Sequence, residues 1–107
     1  MLEAAWYAIS MMLETETGFD AKWSRGSWRE EEIKLVPERV GVYQLVDALG
    51  RVLYVGFAKD LRAALLKHLA KGDIPGVEGF RWAEYRSVEE AEEAQEQLIE
   101  ELAPSYE

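Results

Sequence analysis

Gly41-Val42-Tyr43-Gln44-Leu45-Val46-Asp47-Ala48-Leu49-Gly50-Arg51-Val52-Leu53-Tyr54-Val55-Gly56-Phe57 decides the architecture of this 107-residue chain. Gly41 to Asp47 and Arg51 to Phe57 are rich in Val, Tyr and Leu, side chains that suit a pleated, half-buried surface. Ala48-Leu49-Gly50 between them supplies a short turn, with glycine where a positive φ is useful. The segment reads as a β-hairpin. Its two strands carry mirrored tripeptides, Gly41-Val42-Tyr43 and Tyr54-Val55-Gly56.

Downstream of the hairpin, Asp60 is placed to cap a helix that carries Leu61, Leu65, Leu66 and Leu69 on one side and ends near Gly72. Asp73 to Gly79, containing Pro75, reads as a loop, and Phe80 to Arg86 as a third strand. Ser87-Val88-Glu89-Glu90 has the capping-box pattern, in which the serine oxygen accepts from an orphan backbone N–H and Glu90 reaches back. A closing helix follows to about Leu102, stopped by Pro104. Upstream, Leu2, Trp6, Ile9 and Leu13 form one helical stripe. Thr17 to Ser27 reads as a loop anchored by Phe19 and Trp23, and Trp28 to Leu35 is mixed in pattern and compatible with an extended segment. The order predicts an α+β domain with a small three-stranded antiparallel sheet flanked by helices, residues 40–107, preceded by an N-terminal extension, residues 1–39.

Length and composition fit one compact domain, with 49% hydrophobic residues. There is no cysteine and a single histidine, which excludes disulfides, thiolate metal sites and a histidine-rich metal site. The apolar run Ala4 to Leu13 is far shorter than the roughly 20 residues a membrane span needs, so a cytoplasmic protein without membrane attachment is expected. The net charge is −9. From Ser87 onward there are eight glutamates and no base, a face that repels phosphate backbones. The one locally basic stretch holds Lys59, Arg62, Lys67 and Lys71. Duplex DNA is therefore expected to bind weakly or not at all.

The paired tripeptides, the segment Phe57-Ala58-Lys59-Asp60-Leu61-Arg62-Ala63-Ala64-Leu65, and Leu98-Ile99 with Pro104-Ser105-Tyr106 together resemble the GIY-YIG nuclease family, both the N-terminal domain of UvrC-type repair proteins and phage homing endonucleases. The resemblance runs from about Gly41 to Glu107. It implies a three-stranded antiparallel sheet flanked by helices. In active members a hairpin tyrosine, a lysine and a metal-bound water generate the nucleophile that attacks a phosphodiester. A helix arginine steadies the phosphate, and a glutamate of the closing helix holds a divalent ion.

Carried over by motif, Tyr43 and Tyr54 match the two tyrosines, and Gly56 matches the glycine that lets the backbone turn. His68 matches a histidine of the homing members. Four positions depart. Phe57 stands in place of the lysine, and Ala64 in place of the arginine, where a methyl group offers no fork of donors to a phosphate. Gln95 stands in place of the metal-binding glutamate, and Glu107 in place of a terminal asparagine. A neutral amide alone holds magnesium poorly, and a one-residue slip in the helix would present Glu96 instead. The resemblance with these departures implies a catalytically inactive domain, without cofactor, kept as a binding or assembly scaffold. Its aromatic-rich extension (Trp6, Trp23, Trp28, Tyr7) would meet a protein partner or a second copy. The alternative is an active endonuclease dependent on magnesium or manganese, built from Tyr43, Tyr54, His68 and a carboxylate such as Glu96. A third expectation is binding of a small anion or nucleotide near Gly56 and Lys59 without cleavage.

Overall fold

The computed structural model describes residues 23–106. The order is β1 (Ser24–Ser27), α1 (Glu30–Ile33), β2 (Gly41–Val46), β3 (Val52–Ala58), α2 (Leu61–Lys71), β4 (Gly79–Glu84) and α3 (Val88–Leu102). The strands form one sheet in the order β1-β4-β2-β3, every neighbour antiparallel. The fold is α+β, as expected.

The hairpin β2–β3 is organised by Asp47. Its Oδ1 accepts from the backbone N–H groups of Leu49 (2.9 Å) and Arg51 (2.8 Å), and its Oδ2 from Arg51 Nε (2.8 Å). Gly50 takes a φ of 83°, the conformation the turn demands of it. Helix α2 starts where the Asp60 side chain accepts from the Ala63 N–H at 3.0 Å. It stops at the left-handed Gly72, whose N–H donates to the His68 carbonyl. Helix α3 starts at Ser87, whose Oγ accepts from the Glu90 N–H.

Alternation along β2 gives the two faces of the sheet separate cores. Tyr43 and Leu45 join Ile33, Val36, Leu61, Leu65 and Phe80 on the α2 side, while Val42 joins Val55, Ala91 and Ala94 on the α3 side. All six residues of β2 are buried, as befits an inner strand covered on both faces. Strand β3 closes one edge. Its carbonyls are covered in part by the C-terminal segment, where Tyr106 N–H donates to Leu53 O at 2.7 Å.

Two expectations change. The sheet has four strands rather than three, because Ser24–Ser27, expected as loop, pairs with β4 in the register Gly26↔Phe80. That pairing needs glycine: a Cβ on Gly26 would lie 2.7 Å from Phe80 Cζ. Within Trp28 to Leu35, Glu30–Ile33 forms a single helical turn rather than an extended segment. It delivers Ile33, and Val36 just beyond it, to the same core as α2. The predicted N-terminal helix through Leu2, Trp6, Ile9 and Leu13 lies outside the described residues, as does Glu107. Among the described residues no helix is long and apolar enough to cross a membrane.

Candidate functional site

Tyr43 on β2 sits directly opposite Gly56 on β3. A Cβ built on Gly56 would lie 2.5 Å from both Cζ and the hydroxyl oxygen of Tyr43. Gly56 is not among the glycines with positive φ. The motif glycine thus serves here by leaving room for the phenol across the ladder, a steric requirement rather than a tight backbone turn.

The Tyr43 hydroxyl lies 2.9 Å from His68 Nε2 on the last turn of α2. On the other side of the ring, His68 Nδ1 lies 3.0 Å from Asp73 Oδ1 and 3.2 Å from Oδ2. Tyr54 completes the cluster, its ring 5.1 Å from that of His68 in an edge-on arrangement and 6.0 Å from that of Tyr43. Tyr43 and Tyr54 reach the α2 face from adjacent strands, and His68 meets them because α2 crosses the same face. Burial, with the Tyr54 phenol beside it, pushes the Tyr43 hydroxyl well above the usual tyrosine range, so the phenol is held neutral. The hydrogen bond from His68 holds the Asp73 carboxyl below the usual aspartate range. Asp73 carries no mark in the sequence beyond following a helix-ending glycine. The left-handed Gly72 turns the chain back so that the next residue faces the imidazole one turn earlier.

The remaining positions are engaged elsewhere. Phe57 packs on the α3 side against the Val42, Val55, Ala91 and Ala94 cluster, and Ala64 packs into the core on the α2 side. Arg62 is not free to substitute for a missing cation: its Nε donates to the Val36 carbonyl at 2.8 Å, and its Nη1 lies 3.7 Å from Glu38. Lys59, Lys67 and Lys71 are exposed. Gln95 is half-buried on α3, and its Nε2 donates to the Val55 carbonyl at 3.2 Å, tying the helix to the edge strand. Glu96 and Glu92 are exposed on the solvent side of α3. Among the described residues no group of three or more His, Asp or Glu side chains converges to hold a metal ion. At Gln95 the divalent ion that the family resemblance implies meets a neutral amide whose Nε2 donates to the Val55 carbonyl, and Glu92 and Glu96 on the same helix are exposed, a poor fit for an ion held through carboxylates.

Residues 21–103 match the domain of unknown function DUF7508. The chain belongs to the DUF7508 family. It is also similar to UvrABC system protein C of Chromohalobacter salexigens, 35% identical over 81 residues, which covers 69% of this chain and 13% of that protein. The protein of the same name from Bacteroides fragilis is 30% identical over 79 residues, covering 66% and 13%. The chain therefore spans about an eighth of the length of these curated relatives. Among solved structures, the GIY-YIG N-terminal endonuclease domain of UvrC from Thermotoga maritima, as a point mutant bound to its catalytic divalent cation, superposes with a TM-score of 0.62 at 24% identity, covering 70% of this chain and 89% of that one. The magnesium-bound form of that domain superposes with a TM-score of 0.59 at 24% identity, covering 70% and 90%. The fold is that of the GIY-YIG endonuclease domain.

Proposed function

We propose that this chain is a GIY-YIG domain that no longer cleaves phosphodiesters and serves as a binding or assembly scaffold. The observation that carries the reading is the hydrogen bond from Gln95 Nε2 to the Val55 carbonyl. The helix position that corresponds to the metal-binding glutamate is spent on holding α3 to the sheet. Ala64 and Phe57 point the same way, since both lie in apolar packing where the corresponding family side chains are cations. Phosphodiester cleavage needs preorganised positive charge around a developing dianion, usually the largest catalytic contribution. Here the guanidinium of Arg62, two residues from Ala64 in the sequence, is already committed to a backbone carbonyl.

What the scaffold binds follows from charge. The glutamate-rich face of α3 disfavours nucleic acid, so the partner is a protein or a second copy of this chain, met through the aromatic-rich residues 1–39, in the cytoplasm. One observation favours the alternative of an active endonuclease: Tyr43 and His68 retain a hydrogen-bonded acid–base pair. That alternative assigns the metal to Gln95, whose amide donates to Val55, or to Glu96, which is exposed on the solvent side of α3.

A plasmid-relaxation assay with magnesium or manganese, with and without chelator, tests the reading. No nicking above a protein-free control is expected. Chelator-sensitive nicking by the unmodified chain that disappears in Tyr43→Phe would overturn the scaffold assignment.

A further inference from the structure

We propose that Asp73 is a positioning residue that fixes the tautomer of His68, so that the imidazole carries its proton on Nδ1 and turns a bare Nε2 toward Tyr43. This hydrogen-bond chain has the same direction whether or not the domain cleaves anything. The inventory of donors and acceptors sets it. An ionised carboxylate has lone pairs only, so a contact of 3.0 Å from His68 Nδ1 to Asp73 Oδ1 requires the proton on the nitrogen. Asp73 Oδ2 at 3.2 Å shares the same N–H. In a neutral ring one nitrogen donates and the other accepts, so Nε2 is then the acceptor. The 2.9 Å contact at Nε2 is satisfied by the O–H of Tyr43 donating to it.

The direction of every proton in the chain thus runs from Tyr43 through His68 to Asp73. Its consequence at the motif tyrosine is specific. With its only proton given to Nε2, the Tyr43 oxygen offers lone pairs alone to whatever else approaches it. A phosphate oxygen, itself an acceptor, finds no donor there. The groups facing His68 are Tyr43 from β2, Tyr54 from β3 and Asp73 from the loop after α2, with Lys71 acting on Asp73 from the end of α2. No other carboxylate is needed to account for the arrangement. Gly72 is the local device that makes it possible: its φ of 57° reverses the chain directly after α2.

His68 is the one histidine of the chain, so its ring signals in a tag-free protein are unambiguous. The test is long-range proton–nitrogen NMR of the imidazole at about pH 8.5, roughly two units above the ordinary histidine value. The parent chain is expected to show a protonated Nδ1 and a bare Nε2. In Asp73→Ala the ring should move toward the Nε2-protonated form that isolated imidazole side chains favour in water. In Tyr43→Phe, which removes the donor at Nε2 and leaves Asp73 in place, the Nδ1-protonated form should persist. A parent ring protonated on Nε2 would overturn the proposal. So would an unchanged tautomer in Asp73→Ala, or a tautomer that switches in Tyr43→Phe. Asp73 is exposed enough that its truncation leaves the core intact, and the Tyr43→Phe spectrum decides between the two residues independently of it.

Discussion

Changing Gln95 to glutamate should weaken this domain. The Gln95 amide donates to the Val55 carbonyl at 3.2 Å from a half-buried position. In Gln95→Glu at neutral pH, a carboxylate with no proton faces that carbonyl, and two acceptors oppose each other. Losing the hydrogen bond costs about 1 kcal/mol. A further few tenths of a kcal/mol come from placing a new charge one helical turn from Glu92. For a domain of this size, about 1.5 kcal/mol lowers the melting temperature by roughly 6–12 °C. The deficit should depend on pH in a definite direction. The folded state penalises the ionised form, so the new carboxyl has its folded pKa raised above the unfolded value of about 4.3. The loss relative to the parent is therefore complete above that raised pKa and shrinks as pH falls through it, because a protonated carboxyl again donates to Val55. Thermal unfolding followed by circular dichroism at neutral and mildly acid pH, in chelator and then in magnesium, reads all of this. Magnesium should recover only part of the loss, since a single carboxylate holds the ion weakly and among the described residues no group of three or more His, Asp or Glu side chains converges to hold a metal ion. A variant that melts with the parent in chelator, or whose melting temperature magnesium lifts above the parent's, would refute the structural role given to Gln95.

Gly56→Ala should cost about 1–3 kcal/mol through overpacking, because the added methyl would stand 2.5 Å from the Tyr43 phenol. Urea unfolding measures the cost, and a shift of the His68 ring signals in the same variant would report displacement of that phenol. Asp47 gives a pH signature of its own: hydrogen bonds from the Arg51 backbone and side chain and the Leu49 N–H hold its carboxyl below the usual range. The stability it contributes is present above the unfolded value of about 3.9 and is lost as pH falls through the lower folded pKa. Acid titration should cost the parent more stability than Asp47→Ala below about pH 4, and parallel curves would show that Asp47 does not organise the hairpin.

The hairpin, the two long helices and their ends were determined by the sequence alone, because each rests on contacts within a few residues. Asp47 with Gly50 builds the turn, and Asp60 and Ser87 satisfy N–H groups three residues on. Apolar spacing marks the helix faces that reach the cores. The closeness of Tyr43 and Tyr54 was legible for the same reason, since the hairpin register sets Tyr43 opposite Gly56 and Tyr54 opposite Leu45, on one face of adjacent strands. Tertiary structure decided what depends on distant partners. Ser24–Ser27 is a strand because β4 offers it an unpaired edge and Gly26 admits Phe80, and nothing in its own composition favours extension. Helix spacing by itself did not settle whether Gln95 or Glu96 meets the sheet; packing of α3 through Ala91 and Ala94 turns Gln95 to Val55 and leaves Glu96 exposed. His68 acquires its partners only when α2 crosses β2 and Gly72 folds Asp73 back onto the ring. A side chain's type is written in the chain, but the hydrogen-bond partner that fixes its chemistry is supplied by whichever element the fold lays against it.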